Sequence, residues 1–220
     1  MTRSISLAYL VVCICCSSCK SSFKFSYEDQ DSPKFEGDFR IQKGPSLTPE
    51  SESIKVVSFN IEFARHMEEA ISLIKESSLS TADVFLLQEM DETATKAIAD
   101  SLQMAYVYYP AIYHPGHQKN VGNAILSKHT IRSSHKIKLP FPSLYPQPLK
   151  GKNYRFRKTA TVATIEIGDD VVQVASTHAA AFNPTERRRQ FAQSLVNQLS
   201  KLESDKVIVA GDFNSLGTAD

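Results

Sequence analysis

Cysteine is absent from almost the entire chain. All four cysteines of the 220-residue sequence lie within the first 19 residues, so the remainder has no thiols for an internal disulfide or a cysteine-based zinc site. A surplus of one charge sign is also lacking, because 25 Lys and Arg residues stand against 24 Asp and Glu residues. This balance excludes a globally basic nucleic-acid-binding protein, and any attraction to phosphate has to be local.

Internal repeats and a disorder-promoting composition are lacking as well. Hydrophobic residues make up 42% of the chain and charged residues 22%, which is typical of a globular protein. A chain of this length suits one domain with a substantial core.

The N-terminus has the pattern of an export signal. Arg3 forms a short basic region, and residues 7–16 form an apolar run that is too short for a comfortable membrane span. Small residues then precede Cys19, which resembles a bacterial lipoprotein signal with Cys19 as the lipidated first residue of the mature chain. Cys16 stands where such signals usually carry Leu, so an ordinary signal peptide cut near Ser18 and a retained anchor stay open. All three alternatives predict export. The first predicts a membrane-anchored bacterial lipoprotein, periplasmic or on the cell surface.

The pattern divides the chain into a signal peptide over residues 1–18, a tether over 19–53 and a folded domain over 54–220. The tether is rich in Ser, Pro and charged residues and has neither helical nor strand periodicity. Phe35, Phe39 and Ile41 leave open an edge strand that packs on the domain.

The domain alternates predicted strands with predicted helices. Apolar runs predict strands at 54–59, 83–88, 105–109, 123–127, 158–167, 171–177 and 206–210. Helices are predicted at 67–76, after a cap at Asp91, and after a cap at Asn183 with Pro184 as first helical residue, while 140–153 is a predicted loop. The strands at 158–167 and 171–177 are joined by a turn alone, so the sheet cannot be purely parallel. The sequence predicts an α/β fold of mixed sheets with helices outside.

Polar motifs stand at the C-terminal ends of four predicted strands. They are residues 58–60 (Ser-Phe-Asn), 88–89 (Gln-Glu), 176–178 (Ser-Thr-His) and 211–214 (Gly-Asp-Phe-Asn). Strand ends are where α/β folds place their chemistry. The motifs supply two carboxylates, several amides and one imidazole. This set suits a hard divalent cation together with a phosphate, and it fits a zinc ion less well.

Each motif by itself also has an ordinary structural explanation. Glu89 follows a buried run, where a charge is costly unless it is paired or binds a metal, but it is equally compatible with a solvated loop. Asn60 would anchor a loop through hydrogen bonds of its amide, and His178 would be a structural residue packed at the end of a strand. The four motifs together are more specific than any one of them.

Their order along the chain, with residues 122–127 (Gly-Asn-Ala-Ile-Leu-Ser) between the second and third, resembles the endonuclease/exonuclease/phosphatase superfamily. That superfamily includes pancreatic-type deoxyribonuclease, abasic-site endonucleases, inositol polyphosphate 5-phosphatases and neutral sphingomyelinases. The resemblance covers residues 54–220. It implies a sandwich of two mixed β-sheets flanked by helices.

The resemblance also implies a reaction, the hydrolysis of a phosphoester by in-line attack of water with Mg²⁺, or alternatively Mn²⁺, as cofactor. Glu89 would be the principal metal ligand, with Asn60 beside it. Asp212 would orient or deprotonate the attacking water. His178 and Asn214 would bind the phosphate and stabilise the transition state.

Two further residues, Asn123 and Arg157, are implied as supports of the phosphate pocket. Arg157 belongs to a basic cluster that also contains Lys150, Lys152, Arg155 and Lys158. This cluster is interleaved with aromatic residues and suits an anionic headgroup, although a solvated loop explains it equally well.

The sequence departs from the superfamily pattern in two places. The closing Asp-His pair of the family is not found, because Asp220 is the last residue and no His follows His178. We therefore expect a C-terminally truncated domain, without its last strands and with little activity. The segment 117–123 contains no acid, so the Glu that pairs with the residue at the His178 position in deoxyribonuclease-like members is not evident.

The predicted substrate class stays broad and covers lipid, nucleic-acid and small-molecule phosphoesters. A lipid tether and the basic cluster favour membrane headgroups, and a surface nuclease is the rival. A different class of function, a catalytically inactive exported module that binds phosphate or lipid, also fits. Nothing in the sequence points to a protein partner.

Overall fold

The structure is a computed structural model that describes residues 25–41, 53–144, 155–181, 184–202 and 204–215. The predictions for the signal peptide, for Cys19, for Lys150 and Lys152, and for the cap at Asn183 lie outside these residues. Within the described ranges, no helix has the length and apolar character that crossing a membrane would require.

The described residues form two mixed β-sheets, as predicted. The first sheet has the order β1-β4-β5-β3-β2 and contains β1 (Phe35–Asp38), β2 (Val56–Asn60), β3 (Val84–Met90), β4 (Ala105–His114) and β5 (Lys119–Ser127). The second has the order β6-β7-β8-β9 and contains β6 (Thr130–Leu144), β7 (Arg155–Ile167), β8 (Asp170–His178) and β9 (Val207–Asp212). The pairs β2–β3 and β8–β9 are parallel, and the other pairs are antiparallel.

Helices cover the outer faces of both sheets. The helices α1 (Met67–Glu76) and α2 (Glu92–Leu102) pack on the first sheet, and α3 (Thr185–Leu199) packs on the second. The cap of α2 is as predicted, because the Asp91 side chain accepts a hydrogen bond from the Ala94 N–H. The start of α3 is one residue later than predicted: Pro184 is the N-cap and Thr185 the first helical residue.

Alternation along the strands builds one core between the sheets and one beneath each helical layer. On β3, Val84 and Leu86 face the second sheet, whereas Phe85 and Leu87 face α1 and α2. Both faces of this strand are therefore buried, which explains its unbroken apolar run. On β7, Ala163 packs between the sheets.

Two strands that contain proline differ from the prediction: β4 continues past its predicted end, and β6 was not predicted as a strand. Residues 140–144, predicted as loop, continue β6, although they include two prolines. The pairing of β6 with β7 shifts register between Leu139 and Ser143, and β6 is an edge strand, where the missing proline N–H is tolerated. In β4, Pro110 likewise lies at a register shift and the strand continues to His114.

Part of the predicted tether packs against the domain, which is the alternative that its aromatic residues left open. Phe35 begins the edge strand β1, which pairs antiparallel with β4. The Phe39 ring stacks on Tyr106 with centroids 5.9 Å apart, while Ile41 is exposed. Further upstream, the Tyr27 N–H donates to the Ala111 carbonyl at 2.9 Å.

Lys136 on β6 is fully buried beneath this N-terminal segment. Its Nζ donates to the carbonyl oxygens of Ser32 at 3.2 Å and Pro110 at 3.3 Å. Burial lowers the pKa of Lys136 to about 8, against the opposing effect of Asp29 and Glu28. The charged ammonium is therefore less favourable in the folded than in the unfolded chain.

We expect Lys136 to make folding more favourable as the pH rises from about 8 towards 10.5. In that window the unfolded chain keeps the proton that the folded chain has released, so the free energy of unfolding increases, by about 3 kcal/mol in total. Urea unfolding of wild type and Lys136→Met between pH 7 and 10.5 measures this increase as a difference. Lys138→Met, which changes an exposed lysine two residues along, is the control. Parallel pH curves for wild type and Lys136→Met would contradict the prediction.

Candidate active site

The sandwich brings the ends of two parallel strand pairs to one edge. Asn60 ends β2 and Glu89 lies at the end of β3 in the first sheet, while His178 ends β8 beside Asp212 of β9 in the second. The Asn60 Nδ2 lies 3.0 Å from Asp212 Oδ2 and 3.4 Å from Glu89 Oε1. Four residues predicted from separate motifs thus form one cluster.

A bulge presents Glu89 to this cluster. The pairing of β3 with β5 shifts register between Leu87 and Met90, and Glu89 adopts a left-handed conformation with φ of 57°. Its side chain is 14% exposed, and its Oε2 accepts the Phe63 N–H at 3.0 Å. Bulges of this kind redirect a side chain at the cost of regular pairing.

The loop after β2 is strained next to the cluster. Glu62, Phe63 and Ala64 have φ values of 39°, 55° and 52°, although none is glycine. Such conformations cost on the order of 1 kcal/mol or more each and persist only where surrounding contacts enforce them. One such contact is made by Asn60, whose Oδ1 accepts the Glu62 N–H at 3.0 Å.

Asp212 is held in its ionised form by the turn that follows it. Burial acts to raise the pKa of Asp212, but hydrogen bonds from the Asn214 N–H at 2.8 Å and from Asn60 outweigh it and lower that pKa. Gly211, just before Asp212, allows β9 to lie close to β8, because a Cβ there would be 1.9 Å from the Thr177 carbonyl oxygen. The neighbouring Asn214 donates its own amide to Ala179 O at 2.9 Å, which ties the turn to the end of β8.

His178 stands between the two acids. Its Nδ1 lies 3.8 Å from Glu89 Oε1 and its Nε2 lies 3.8 Å from Asp212 Oδ2. Burial, reinforced by the positive charge of Lys158, lowers the pKa of His178 well below its usual range despite the opposing effect of Asp212. The imidazole is therefore neutral near pH 7.

Lys158, which was predicted only as part of the basic cluster, also influences the charges of the site. Burial lowers the pKa of Lys158 to about 8, and the negative charges of Glu89 and Asp212 counteract that shift. Lys158 lies on β7, two residues before Ala160, where the pairing of β7 with the His178 strand begins, and this position was the available signal. No motif indicated that this lysine would act on the site.

The decisive comparison is with protein families. A model described as the Endonuclease/Exonuclease/phosphatase family matches residues 57–219. The chain belongs to this family. The matched range includes every residue of the cluster described above. Curated proteins give no significant match to the chain.

Solved structures with the same fold include several members of the endonuclease/exonuclease/phosphatase family. D. rerio TDP2, in complex with a single-strand DNA product, has a TM-score of 0.56 and 15% identity over 76% of this chain and 63% of its own. The mannosyl-6-phosphatase Bt3783 of Bacteroides thetaiotaomicron has a TM-score of 0.54 and 17% identity over 74% and 66%. Sphingomyelinase C from Streptomyces griseocarneus has a TM-score of 0.51 and 19% identity over 75% and 65%. The chain thus spans less than two thirds of the TDP2 chain.

In this family member the two predicted pocket residues have structural partners. Asn123 is buried and donates to the Thr159 carbonyl at 2.9 Å, which links the two sheets beneath the site. Arg157 forms an ion pair with Glu28 at 3.3 Å, and its own N–H donates to Ser26 Oγ at 3.0 Å. The Arg157 guanidinium is therefore held to the N-terminal segment through Glu28, and its predicted role at the phosphate stays a prediction.

Two buried side chains fix the strand ends of both sheets relative to each other. The Gln88 Nε2 donates to Ser176 Oγ at 3.0 Å, and Ser176 Oγ donates to the Leu87 carbonyl at 3.0 Å. Both residues are almost fully buried. The first residues of the Gln-Glu and Ser-Thr-His motifs therefore hold the sheets together, one residue away from Glu89 and two from His178.

The donor chemistry of the cluster fits a magnesium ion that keeps much of its water. Among the described residues, no group of three or more Asp, Glu, His or Cys side chains has the arrangement of a complete metal site. Mg²⁺ is commonly held by one or two carboxylates together with water and substrate phosphate. Glu89 supplies such a carboxylate, whereas Asn60 would have to turn its amide over to offer oxygen, because its Nδ2 now faces both acids.

Proposed function

We propose that the protein is a metal-dependent phosphoester hydrolase that uses a water molecule as nucleophile. The observation that carries this proposal is the convergence of Glu89, Asp212 and His178, whose imidazole nitrogens lie 3.8 Å from an oxygen of each acid. Family membership supports the phosphoesterase class. The cofactor that we propose is Mg²⁺, with Mn²⁺ as a substitute.

Each residue of the cluster has a distinct task in this proposal. Glu89 holds the metal, which when bound polarises the phosphate and offsets its negative charge. Asp212 is ionised at neutral pH and accepts a proton from the attacking water. His178, which is neutral, donates a hydrogen bond to a phosphate oxygen.

Lys158 and Asn60 complete the proposed site. The Lys158 ammonium offsets negative charge that would otherwise accumulate when a phosphate lies beside Glu89 and Asp212. Asn60 donates to both carboxylates and so keeps them at a fixed separation. Asn214 stabilises the turn that positions Asp212, because its backbone N–H donates to Asp212 and its side-chain amide donates to the Ala179 carbonyl.

For the substrate we propose a phosphodiester of a membrane lipid headgroup. The support is the lipoprotein-like N-terminus, which would keep the domain at a membrane surface. A structural neighbour is named as a sphingomyelinase, while another is named with a DNA product, so a surface nuclease is the competing proposal. Release of phosphocholine from sphingomyelin vesicles, compared with cleavage of single-stranded DNA, separates the two.

Because the closing Asp-His pair is not found, we expect a low wild-type rate, and we expect His178→Ala to lower that rate by about 10²–10⁴-fold more, the usual contribution of a positioned proton-transfer or hydrogen-bonding group. The measurement is hydrolysis of bis(p-nitrophenyl) phosphate by the full chain with an excess of Mg²⁺ or Mn²⁺, with EDTA as the metal-free control. His129→Ala, which changes a half-buried histidine at the opposite end of the sandwich, is the matched control.

Two results would decide against the enzyme. Equal rates for wild type and His178→Ala would exclude the site described here. Binding of inorganic phosphate in the presence of metal, without any turnover by wild type, would favour the catalytically inactive binding module.

A further inference from the structure

Lys119 stands outside the catalytic cluster but contacts the loop that holds Glu89. It begins β5 and follows the turn that joins β4 to β5. Its Nζ donates to the Phe63 carbonyl oxygen and forms an ion pair with Asp91 at 2.8 Å. Asp91 is itself fixed, because its other carboxylate oxygen caps α2.

Phe63 is held on every side in its left-handed conformation. Its N–H donates to Glu89 Oε2 at 3.0 Å, and its carbonyl accepts from Lys119. Its ring stacks on His117 with centroids 4.1 Å apart and meets His114 at 5.3 Å. The β4–β5 hairpin therefore contacts both the backbone carbonyl and the ring of Phe63.

The strained peptide would not remain in this conformation without such contacts. A left-handed non-glycine residue relaxes towards ordinary conformations once its partners are removed. Relaxation of Phe63 would turn its N–H away from Glu89 Oε2. The carboxylate would then lose its only backbone donor within the described ranges.

We infer that Lys119 is a positioning residue for the metal-binding carboxylate: it holds Phe63 so that the Phe63 N–H fixes the orientation of Glu89. This inference rests on the proposed function, since it assigns Glu89 to the metal. Lys119 thus orients a metal ligand through a hydrogen-bonded intermediary, and mutation of such supporting groups typically lowers metal affinity by about 10–100-fold.

The test uses Lys119→Met in the full chain with two measurements. The first is amide hydrogen exchange at Phe63 without metal, which we expect to accelerate by about tenfold or more as the loop opens locally. The second is the Mn²⁺ concentration that gives half of the maximal thermal stabilisation, which we expect to rise by about tenfold. A residue that only supports the fold would lower the melting temperature but leave this concentration unchanged.

Matched variants separate positioning from a general loss of stability. Lys55→Met is the control, because Lys55 likewise donates to a short helical turn, at Ser78 O and Thr81 Oγ1. Lys55 lies at the end of β2 that is far from the site. The Mn²⁺ concentration for half-maximal stabilisation should therefore not change in this variant. The double variant Asp91→Asn with Lys119→Met avoids an unpaired carboxylate while retaining a capping side chain. It should behave like Lys119→Met, and Lys119→Arg should restore most of the affinity.

The coupling to Glu89 decides the inference. In a Glu89→Gln background, Lys119→Met should not weaken Mn²⁺ binding further, because the two changes act on one interaction. Three results for Lys119→Met would overturn the inference. They are a wild-type exchange rate at the Phe63 amide, an unchanged Mn²⁺ concentration for half-maximal stabilisation, and losses of Mn²⁺ binding that add fully to those of Glu89→Gln. If Mn²⁺ does not stabilise the wild type, the proposed function fails, and with it the role of Lys119 in metal binding through Glu89. The exchange rate of the Phe63 amide still decides separately whether Lys119 holds the loop.

Discussion

Glu89→Gln should abolish most of the stabilisation that a divalent metal gives to the folded protein. A ligand at 100 times its dissociation constant stabilises the native state by about 2.7 kcal/mol, which corresponds to a rise in melting temperature of roughly 5–10 °C for a domain of this size. Gln keeps the size of Glu89 and can still meet the Phe63 N–H, but it lacks the anionic oxygen that a hard cation requires. The measurement is thermal unfolding at increasing Mg²⁺ and Mn²⁺.

The hydrolysis rate should fall in parallel, by about 10²-fold or more, because loss of the metal removes several kcal/mol of transition-state stabilisation. Glu92→Gln, which neutralises an acid at the start of α2 instead, is the matched control and should leave both readouts unchanged. Equal metal stabilisation in wild type and Glu89→Gln would remove Glu89 from the site.

Gly211→Ala should destabilise the fold by about 4 kcal/mol or more, a loss expected only where a change cannot be accommodated. The added Cβ would lie 1.9 Å from the oxygen and 2.8 Å from the carbonyl carbon of Thr177, which are backbone atoms of the neighbouring strand β8. Relief would require β8 and β9 to separate next to His178 and Asp212. Urea unfolding measures the effect, and circular dichroism detects the case in which the variant does not fold.

Gly168→Ala is the control for the loss of stability in Gly211→Ala, because Gly168 adopts a left-handed conformation without a close backbone neighbour among the described residues. Gly168 has φ of 59° in the exposed turn between β7 and β8, where alanine should cost about 1 kcal/mol. A similar small loss at Gly211 would show that the two strands tolerate a wider separation than the structure implies.

Much of the fold could be predicted because it depends on local patterns. The buried run before Glu89 indicated a strand, the Asp91 cap indicated a helix, and the turn after Ile167 indicated a hairpin, and all three are present. Predictions at element ends were less accurate. The edge strand β6 was not predicted, and its last residues, which include two prolines, were predicted as loop although an edge strand tolerates proline.

Part of the candidate site could be predicted for a different reason. Parallel neighbours end at the same edge of a sheet, so motifs at strand ends are brought together by the architecture itself. This places Asn60 beside Glu89, and His178 beside Asp212. Their chemical roles remain predictions that the proposed variants test.

The sequence by itself determined most of the elements and their order, the mixed-sheet α/β class of fold and the residue types available at the strand ends, because these follow from periodicity and spacing along the chain; the arrangement in two sheets was implied by the family resemblance. Only the tertiary structure decided which lysine feels the charges of the acids and how Glu89 is held. The charges of Glu89 and Asp212 counteract the burial-driven lowering of the Lys158 pKa, and Lys119 reaches Phe63 across 56 positions. Such choices depend on side-chain direction and on contacts between distant segments, which no local pattern encodes.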